Sequence, residues 1–258
     1  MNPPDEPPVV PDTPSADGGV VKSFWEHLDD LRGMLFKSII ALAITFNVAL
    51  AFSNRILRVL TWPLRQATDH PENFLQSLNV TDSFVLSIDL ALYVGIVLAM
   101  PFILYFVGQF VLPALKPKEK RLLWPGFVAG TGLFLMGAVS CFFWIVPQTL
   151  RAFIQGSRWL GIEPHWTIDS YIGFITQFTL MTGLTFEIPL VILILVRLGI
   201  VRYATVRRGR KVLILVAFVV AAFLAPPDPL SMVLMALPLV ALFEITIWLS
   251  WFAERKRR

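Results

Sequence analysis

The sequence predicts an all-α membrane protein with several spanning helices. Of its 258 residues, 56% are hydrophobic and only 16% are charged, whereas soluble globular proteins have about 25% charged residues. The apolar residues form blocks of about twenty, the length that a helix needs to cross about 30 Å of hydrocarbon. The strands of a membrane barrel would instead alternate over about ten residues. The block pattern therefore favours helices.

The chain opens on a tail that is not expected to fold. Residues 1–22 contain six prolines and four acids, a composition that buries too little apolar surface to offset chain entropy. They also lack the basic start and cleavable apolar core of a signal peptide, so the first spanning helix is expected to direct insertion. We expect a disordered cytoplasmic tail at 1–22, a transmembrane domain at 23–254 and a basic cytoplasmic tail at 255–258.

An amphipathic helix is predicted for residues 23–35, just before the first span. Ser23 and Glu26 have the spacing of a capping box, in which each side chain satisfies the other's free backbone donor. At about 100° per residue, Asp29 and Asp30 fall with Glu26 on the face opposite the apolar stripe. Because acids are favoured near any helix N-terminus, this acidic face is either a solvated surface or a binding site.

Six apolar blocks follow the amphipathic segment. They cover residues 38–54, 90–115, 122–150, 170–196, 212–224 and 230–252. In the second block, Pro101 predicts a kink and Pro113 an end, since proline removes a helical donor. The segment Pro226-Pro227-Asp228-Pro229 predicts a tight turn after the fifth block. The thirteen residues of that block make only about 20 Å of helix, so we expect the fifth and sixth helices to be short in the membrane.

The basic residues predict the orientation. Seventeen Lys and Arg fall on the side that holds both termini, against five on the other side, so the positive-inside rule places both termini in the cytoplasm. Residues 57–87 and 151–169 then face outward. Their short apolar stretches predict interfacial helices, with Trp62, Trp159 and Trp166 at the level of the lipid headgroups.

The fourth block carries the first candidate site, Phe186-Glu187-Ile188-Pro189. Glu187 is the only charged residue between positions 170 and 196. A carboxyl group in hydrocarbon costs a few kcal/mol, and such groups usually face a bundle interior, a partner or water. Pro189 cannot donate to the carbonyl of Thr185, which predicts a kink beside the acid.

Sequence motifs needed for several kinds of enzyme chemistry are missing from the chain. No HExxH, GxSxG or glycine-rich phosphate loop occurs, and His27, His70 and His165 lie in separate segments. The single Cys141 excludes a disulfide and a cysteine-based metal site. We therefore expect no enzyme activity, metal or cofactor. The net charge of +4 comes from clusters at block ends, which indicates topology rather than nucleic-acid binding.

Three acids outside the amphipathic segment have more ordinary interpretations. Glu119 lies among four cations and fits a loop ion pair, whereas Asp89 and Asp228 fit a helix start and a turn. Glu244 is a second acid within an apolar block. The glycines of Gly126-x-x-x-Gly130 fit close helix packing.

Six motifs occur in a fixed order along the chain. They are Phe24-x-x-His27-Leu28-x-x-Leu31-Arg32, Pro63-Leu64, Pro113-x-Leu115 with Glu119-Lys120-Arg121, Gly183-x-x-Phe186-Glu187-x-Pro189, Pro226-Pro227-Asp228, and Pro238 through Phe243-Glu244. In this order, and with the six-helix topology, they resemble the TatC family, the polytopic subunit of the twin-arginine, or Sec-independent, protein translocase.

The resemblance implies a receptor in the bacterial cytoplasmic membrane that binds Arg-Arg signal peptides and supports export of folded proteins by the proton gradient. Its implied partners are TatA-like and TatB-like single-span subunits, further copies of itself and the lipid bilayer. By resemblance, signal-peptide binding falls on Asp30 and Glu119 with Leu31 and Arg32. Asp30 stands where the family usually has Glu, and Met34 stands where a second basic residue is common.

For the membrane interior, the resemblance implies a concave, glove-like bundle with a buried polar site. We expect Glu187, Phe186, Pro189 and Glu244 to form that site and to dock a partner's span. The turn positions are Pro63, Pro113 and Asp228. A proton-coupled transporter of small solutes, with Glu187 and Glu244 as a relay, is the alternative. Such transporters commonly contain internal repeats, and no repeat relates the two halves of this sequence.

Overall fold

The computed structural model describes residues 24–68, 74–111, 120–224 and 229–255. Several predictions lie outside the described residues. These concern the tail at 1–22, all but Arg255 of the tail at 255–258, the cap at Ser23, the loop with Pro113 and Glu119, and the turn with Asp228.

The described part is almost entirely helical, as the sequence predicts. Its helices are α1 Phe24–Ala51, α2 Ser53–Leu60, α3 Trp62–Ala67, α4 Asp82–Val111, α5 Leu123–Ser140, α6 Val146–Trp159, α7 Ile168–Thr185, α8 Glu187–Leu198, α9 Tyr203–Arg208, α10 Arg210–Leu224 and α11 Pro229–Arg255. A 3₁₀ turn at Lys120–Leu122 precedes α5, and a π turn at Cys141–Ile145 joins α5 to α6. Two short strands, β1 Leu75–Gln76 and β2 Trp166–Thr167, pair in parallel.

Five helical segments of the described part are long and apolar enough to cross a membrane. They are Trp25–Ala51, Asp82–Val111, Trp124–Trp159, Ile168–Leu198 and Met232–Phe252. Helix α10 has 15 residues, or about 22 Å, which confirms the prediction of a short fifth helix. The prediction of a short sixth helix is wrong, because α11 has 27 residues. Its internal Pro238 does not end it.

Helix α1 combines two predicted elements into one. The amphipathic segment and the first span form a single helix of 28 residues, because nothing between them breaks the helix apart from the tolerated Gly33. One face of α1 packs along α4. There the hydroxyl of Thr45 donates to the carbonyl of Gly95 at 2.8 Å, and Ala49 is buried.

The α1–α4 contact depends on the missing side chain of Gly95. A Cβ atom at Gly95 would lie 3.0 Å from the Cα atom of Phe46, so the two backbones approach closely. The remaining surface of α1 is apolar and uncovered, with Ile44 60% exposed. Such a surface on a spanning helix suits contact with hydrocarbon.

The first of the two segments predicted to face outward, 57–87, contains the short helix α3 and the second half of the short helix α2. Pro63 lies in the first turn of α3 and is buried, a position where its missing donor costs nothing. The ring of Trp62 lies 4.9 Å from that of Phe143. Trp159 is 86% exposed. Placement of these tryptophans at the headgroup level stays a prediction.

Long-range hydrogen bonds connect the two segments that are predicted to face outward. Trp166 donates its backbone N–H to the carbonyl of Phe74 at 2.8 Å, beside the β1–β2 pair. Arg151 donates from Nη2 to the carbonyl of Gln66 at 2.7 Å, near the end of α3. Tyr171 donates its hydroxyl to the carbonyl of Leu60 at 3.0 Å. These bonds join α2, α3 and the start of α7 into one layer at this end of the bundle.

The fourth span is broken at the predicted place. Helix α7 ends at Thr185 and α8 begins at Glu187, with Phe186 between them. The N–H of Phe186 still donates to the carbonyls of Thr182 and Gly183, at 3.1 and 3.2 Å. Pro189 has no N–H for the carbonyl of Thr185, so the interruption follows from the sequence.

Two glycines and two phenylalanines join α5 to the broken span. A Cβ atom at Gly183 would lie 2.8 Å from the ring of Phe134, and one at Gly137 would lie 2.7 Å from the ring of Phe186. Both phenylalanines are buried. Each aromatic ring therefore occupies the space that a side chain on the facing helix would need, and we call these four residues the Gly–Phe interlock.

We expect Gly183→Ala to destabilise the protein by about 1–3 kcal/mol, the usual cost of overpacking a core. The added methyl group would meet the buried Phe134 ring, which lies against α7. Thermal unfolding of the purified chain in detergent measures the effect.

Gly173→Ala is the matched control, because it lies in the same helix and a Cβ atom there meets nothing within 4 Å. This control should be neutral or slightly stabilising, since alanine is the better helix former. Equal effects of the two substitutions would show that the interlock is unimportant for stability.

Candidate functional site

The carboxyl group of Glu187 lies at the contact between the broken span and α5. A Cβ atom at Gly130 would lie 3.2 Å from Oε2 of Glu187 and 3.1 Å from Cδ2 of Leu190. One at Gly126 would lie 3.8 Å from the side chain of Ile194. The Gly126 and Gly130 pair therefore lies at a helix contact, as predicted, and Gly130 leaves room for the acid.

One oxygen of Glu187 has no hydrogen bond within the described part of the chain. Oε1 is buried and lacks a partner, although the residue as a whole is only half-buried. A buried acceptor without a donor carries a desolvation cost of about 1–3 kcal/mol. The group is thus chemically available to a donor from water or from another molecule.

Three threonine hydroxyl groups of α7 bond within their own helix and do not supply that donor. Thr176, Thr182 and Thr185 donate to the carbonyls of Ile172, Phe178 and Met181, four residues earlier, at 2.7–2.8 Å. This backbone bonding is common for threonine in helices. These threonines therefore satisfy their own helix.

Glu244 has an environment different from that of Glu187. It accepts a bond from Nε of Arg210 at 2.5 Å, and the two side chains are 31% and 60% exposed. Arg210 is the first residue of α10, so this ion pair lies at the end of the α10–α11 hairpin away from its turn. The sequence did not suggest the pair, because its members are 34 positions apart.

The acidic face at the start of α1 is only partly solvated. Asp29 is exposed, whereas Asp30 and Leu31 are half-buried and Arg32 is exposed. One turn earlier, the ring of His27 stacks on Phe110 with 4.5 Å between centroids. Phe110 belongs to the last turn of α4, so the start of α1 lies against the end of α4.

The structure brings some predicted site residues together and separates others. The break between α7 and α8 lies beside α5 and brings together Phe186, Glu187 and Pro189. Asp30 and Leu31 lie on the half-buried face of α1. Glu119, Pro113 and Asp228 lie outside the described residues. Among the residues described, no three His, Cys, Asp or Glu side chains are grouped as a metal site would require.

Sequence reasoning missed a basic cleft between α9, α10 and α11. Its volume is about 390 Å³, and it is lined by Tyr203, Arg207, Arg210, Glu244, Ile247, Trp248 and Trp251. The arginine cluster at positions 202–210 was its only signal, and in the sequence that cluster indicates topology alone.

Comparisons with known proteins agree with the motifs. A family model described as "Sec-independent protein translocase protein (TatC)" matches residues 26–238. A Sec-independent protein translocase protein TatC from Aquifex aeolicus is 35% identical over 234 residues, which cover 90% of this chain and 96% of that protein. The Escherichia coli protein of the same description is 32% identical, over 90% and 89% of the two chains.

A relative from Akkermansia muciniphila, with the same description, is more similar over a shorter stretch. It is 42% identical over 176 residues, and the match spans 68% of this chain but only 51% of the relative. Among solved structures, a "Crystal Structure of Twin Arginine Translocase Receptor- TatC" has a TM-score of 0.77 and 34% identity. That match covers 88% of this chain and 99% of the solved one.

The family model covers most of the chain, and the Aquifex relative and the solved structure match nearly end to end. The multi-pass architecture fits a translocase component rather than an enzyme. The chain belongs to the TatC family of Sec-independent protein translocase proteins.

Proposed function

We propose that the chain is the receptor subunit of a twin-arginine translocase in the bacterial cytoplasmic membrane. In this proposal it binds Arg-Arg signal peptides and supports the export of folded proteins, driven by the proton gradient. The observation that carries the proposal is the half-buried residue Asp30, on the face of α1 that meets the end of α4.

The helical spacing supports a binding surface at this end of α1. Asp30 and Leu31 follow His27 by three and four residues, so all three lie on one face of the helix. His27 stacks on Phe110, which fixes that face toward α4. Asp30 is half-buried on that face whereas Asp29 is exposed, so Asp30 is the acid that we assign to the signal peptide.

Recognition of two adjacent guanidinium groups requires more than one carboxylate. Arg side chains bind carboxylates in a bidentate manner, and we assign the second carboxylate to Glu119. This residue follows the end of α4 at Val111 by eight positions. The end of α4 lies beside the His27 contact, and we propose that Glu119 completes the site together with Asp30.

The proposed topology has six crossings and both termini in the cytoplasm. It adds the short α10 to the five longer spans, so that the α10–α11 hairpin begins and ends on the cytoplasmic side. The cationic residues support this orientation, since α1, α5 and α10 each begin beside Lys or Arg.

For Glu187 we propose docking rather than catalysis. Its buried Oε1 lacks a donor among the described residues, and it lies beside the break in the span. A polar group on the span of a TatA-like or TatB-like subunit, or a water molecule, would supply the donor. Such a bond in a membrane typically contributes about 0.6–2 kcal/mol.

The alternative of a proton-coupled transporter for small solutes has less support. A relay through Glu187 and Glu244 would need both acids to exchange protons, but Glu244 is held by Arg210. Membership in a protein translocase family also favours protein export.

We expect Asp30→Asn to weaken the binding of an Arg-Arg signal peptide by about ten- to a hundred-fold, because a hydrogen bond between charged groups contributes about 1.5–3 kcal/mol. Photo-crosslinking from positions 30 and 119 to Arg-Arg and Lys-Lys peptides measures the site, and labelling should favour the Arg-Arg peptide.

Asp29→Asn provides the control for charge, since it removes a neighbouring exposed acid. It should leave binding nearly unchanged. Equal labelling of the two peptides, or equal losses in the two variants, would contradict the assignment of the receptor site.

We expect Glu187→Ala to reduce transport and co-purification of the single-span subunits, while signal-peptide binding persists. The reason is that Glu187 lies in the membrane interior, whereas Asp30 lies at the end of α1. Transport assays and affinity purification of the tagged chain measure the two effects.

Glu163→Ala removes an acid that is exposed outside the spans, and this control should behave as the unsubstituted chain does. Unchanged transport and unchanged co-purification in the Glu187 variant would end the docking proposal.

A further inference from the structure

We propose that the cleft between α9, α10 and α11 is a binding site for an anionic phospholipid, with the lipid phosphate held by Arg207 and Arg210. Both arginines line the cleft. Indole rings and an apolar groove adjoin this basic rim. The charge, the height in the membrane and the shape of the site each support this occupant.

The charge of the cleft favours an anion. Arg207 and Arg210 are exposed, and Glu244 is the acid of the lining. Glu244 accepts from Nε of Arg210, so it neutralises one arginine and fixes its orientation. A guanidinium has five N–H donors, which leaves the Nη groups of Arg210 and the whole of Arg207 to donate to phosphate oxygens.

The position of the cleft matches the lipid headgroups. Arg210 begins α10, and the apolar stretch of α11 ends at Phe252. Trp248 and Trp251 are 69% and 40% exposed at that end of α11. Indole rings at the end of a span typically lie at the membrane interface. The cationic rim is therefore level with phosphates rather than with hydrocarbon.

An apolar groove continues from the cleft along α11. Its volume is about 410 Å³, and Ile245, Leu249 and Phe252 line it together with Glu244 and Trp248, which it shares with the basic cleft. A free anion would gain nothing from such a groove. An amphiphile with one negative headgroup and acyl chains would satisfy both parts.

A single-span partner helix is a poorer fit to the same surface. The two cavities are confined to residues 203–210 and to the stretch 244–252 near the end of α11. A partner helix would need a groove along the length of a span, and its backbone would bring no phosphate for Arg207. The lipid is therefore the occupant that the charges favour.

The test uses the full chain purified in detergent, with lipid binding followed by native mass spectrometry. Phosphatidylglycerol is titrated against phosphatidylcholine with the same acyl chains. We expect tighter binding of the anionic lipid, and a loss of about five-fold in Arg207→Gln, the effect of one basic residue near an anionic surface. Arg207→Lys should recover part of the loss.

Arg208→Gln is the matched control, because Arg208 is exposed on the same short helix but does not line the cleft. It should retain the affinity of the unsubstituted chain. Trp248→Leu tests the groove independently of charge and should weaken phosphatidylglycerol binding. Circular dichroism and a monodisperse elution profile verify that each variant is folded.

Four results would overturn the proposal. Equal binding of the two lipids would remove the role of the phosphate, and equal losses in the Arg207 and Arg208 variants would indicate diffuse electrostatics. Competition by millimolar inorganic phosphate would indicate a free-anion site instead of a lipid site. In the assembled translocase, a photo-reactive group at position 248 should label lipid, and labelling of a partner subunit alone would also refute the proposal.

Discussion

The close contact between α5 and the broken fourth span is the constraint on which the membrane interior depends. Apolar side chains gain little by leaving lipid for one another, so helices in a membrane associate through close packing and small residues. In the Gly–Phe interlock, Phe134 fills the space beside Gly183 and Phe186 fills the space beside Gly137. Because Phe186 directly precedes Glu187, the same contact that joins the helices also determines where the acid lies.

The break also leaves Glu187 close to another hydrogen-bond acceptor that lacks a donor. Pro189 leaves the carbonyl of Thr185 without its usual helical donor. Glu187, two positions after Thr185, adds a carboxyl group. Acceptors therefore outnumber donors at this point of the membrane, where water is scarce. The buried Oε1 is consistent with that imbalance. A donor from outside the chain would correct it, which is the physical basis of the docking proposal.

The sequence predicts those features that depend on neighbours along the chain. Pro189 predicted the position of the break, and the thirteen-residue block predicted the short α10. The aromatic and proline content of the segments that are predicted to face outward indicated α2 and α3. It could not predict contacts between distant residues. The pairing of Glu244 with Arg210, the stacking of His27 on Phe110 and the fit of Phe134 to Gly183 all depend on how whole helices are rotated against each other. The single helix α1 was also missed, because a change from charged to apolar composition does not by itself end a helix.

The extensive contact of α1 with α4 bears on how the protein is made. These helices are consecutive long spans, and α1 packs chiefly on α4, so the first hairpin can assemble in the bilayer before α5 leaves the ribosome. Helices α10 and α11 form a second hairpin of neighbours in the chain. Biogenesis then reduces to the docking of two locally formed hairpins onto α5 and the broken span. The carboxyl group of Glu187 lies against Gly130 of α5, so the acid gains this cover when the broken span meets α5, the span that precedes it in the chain.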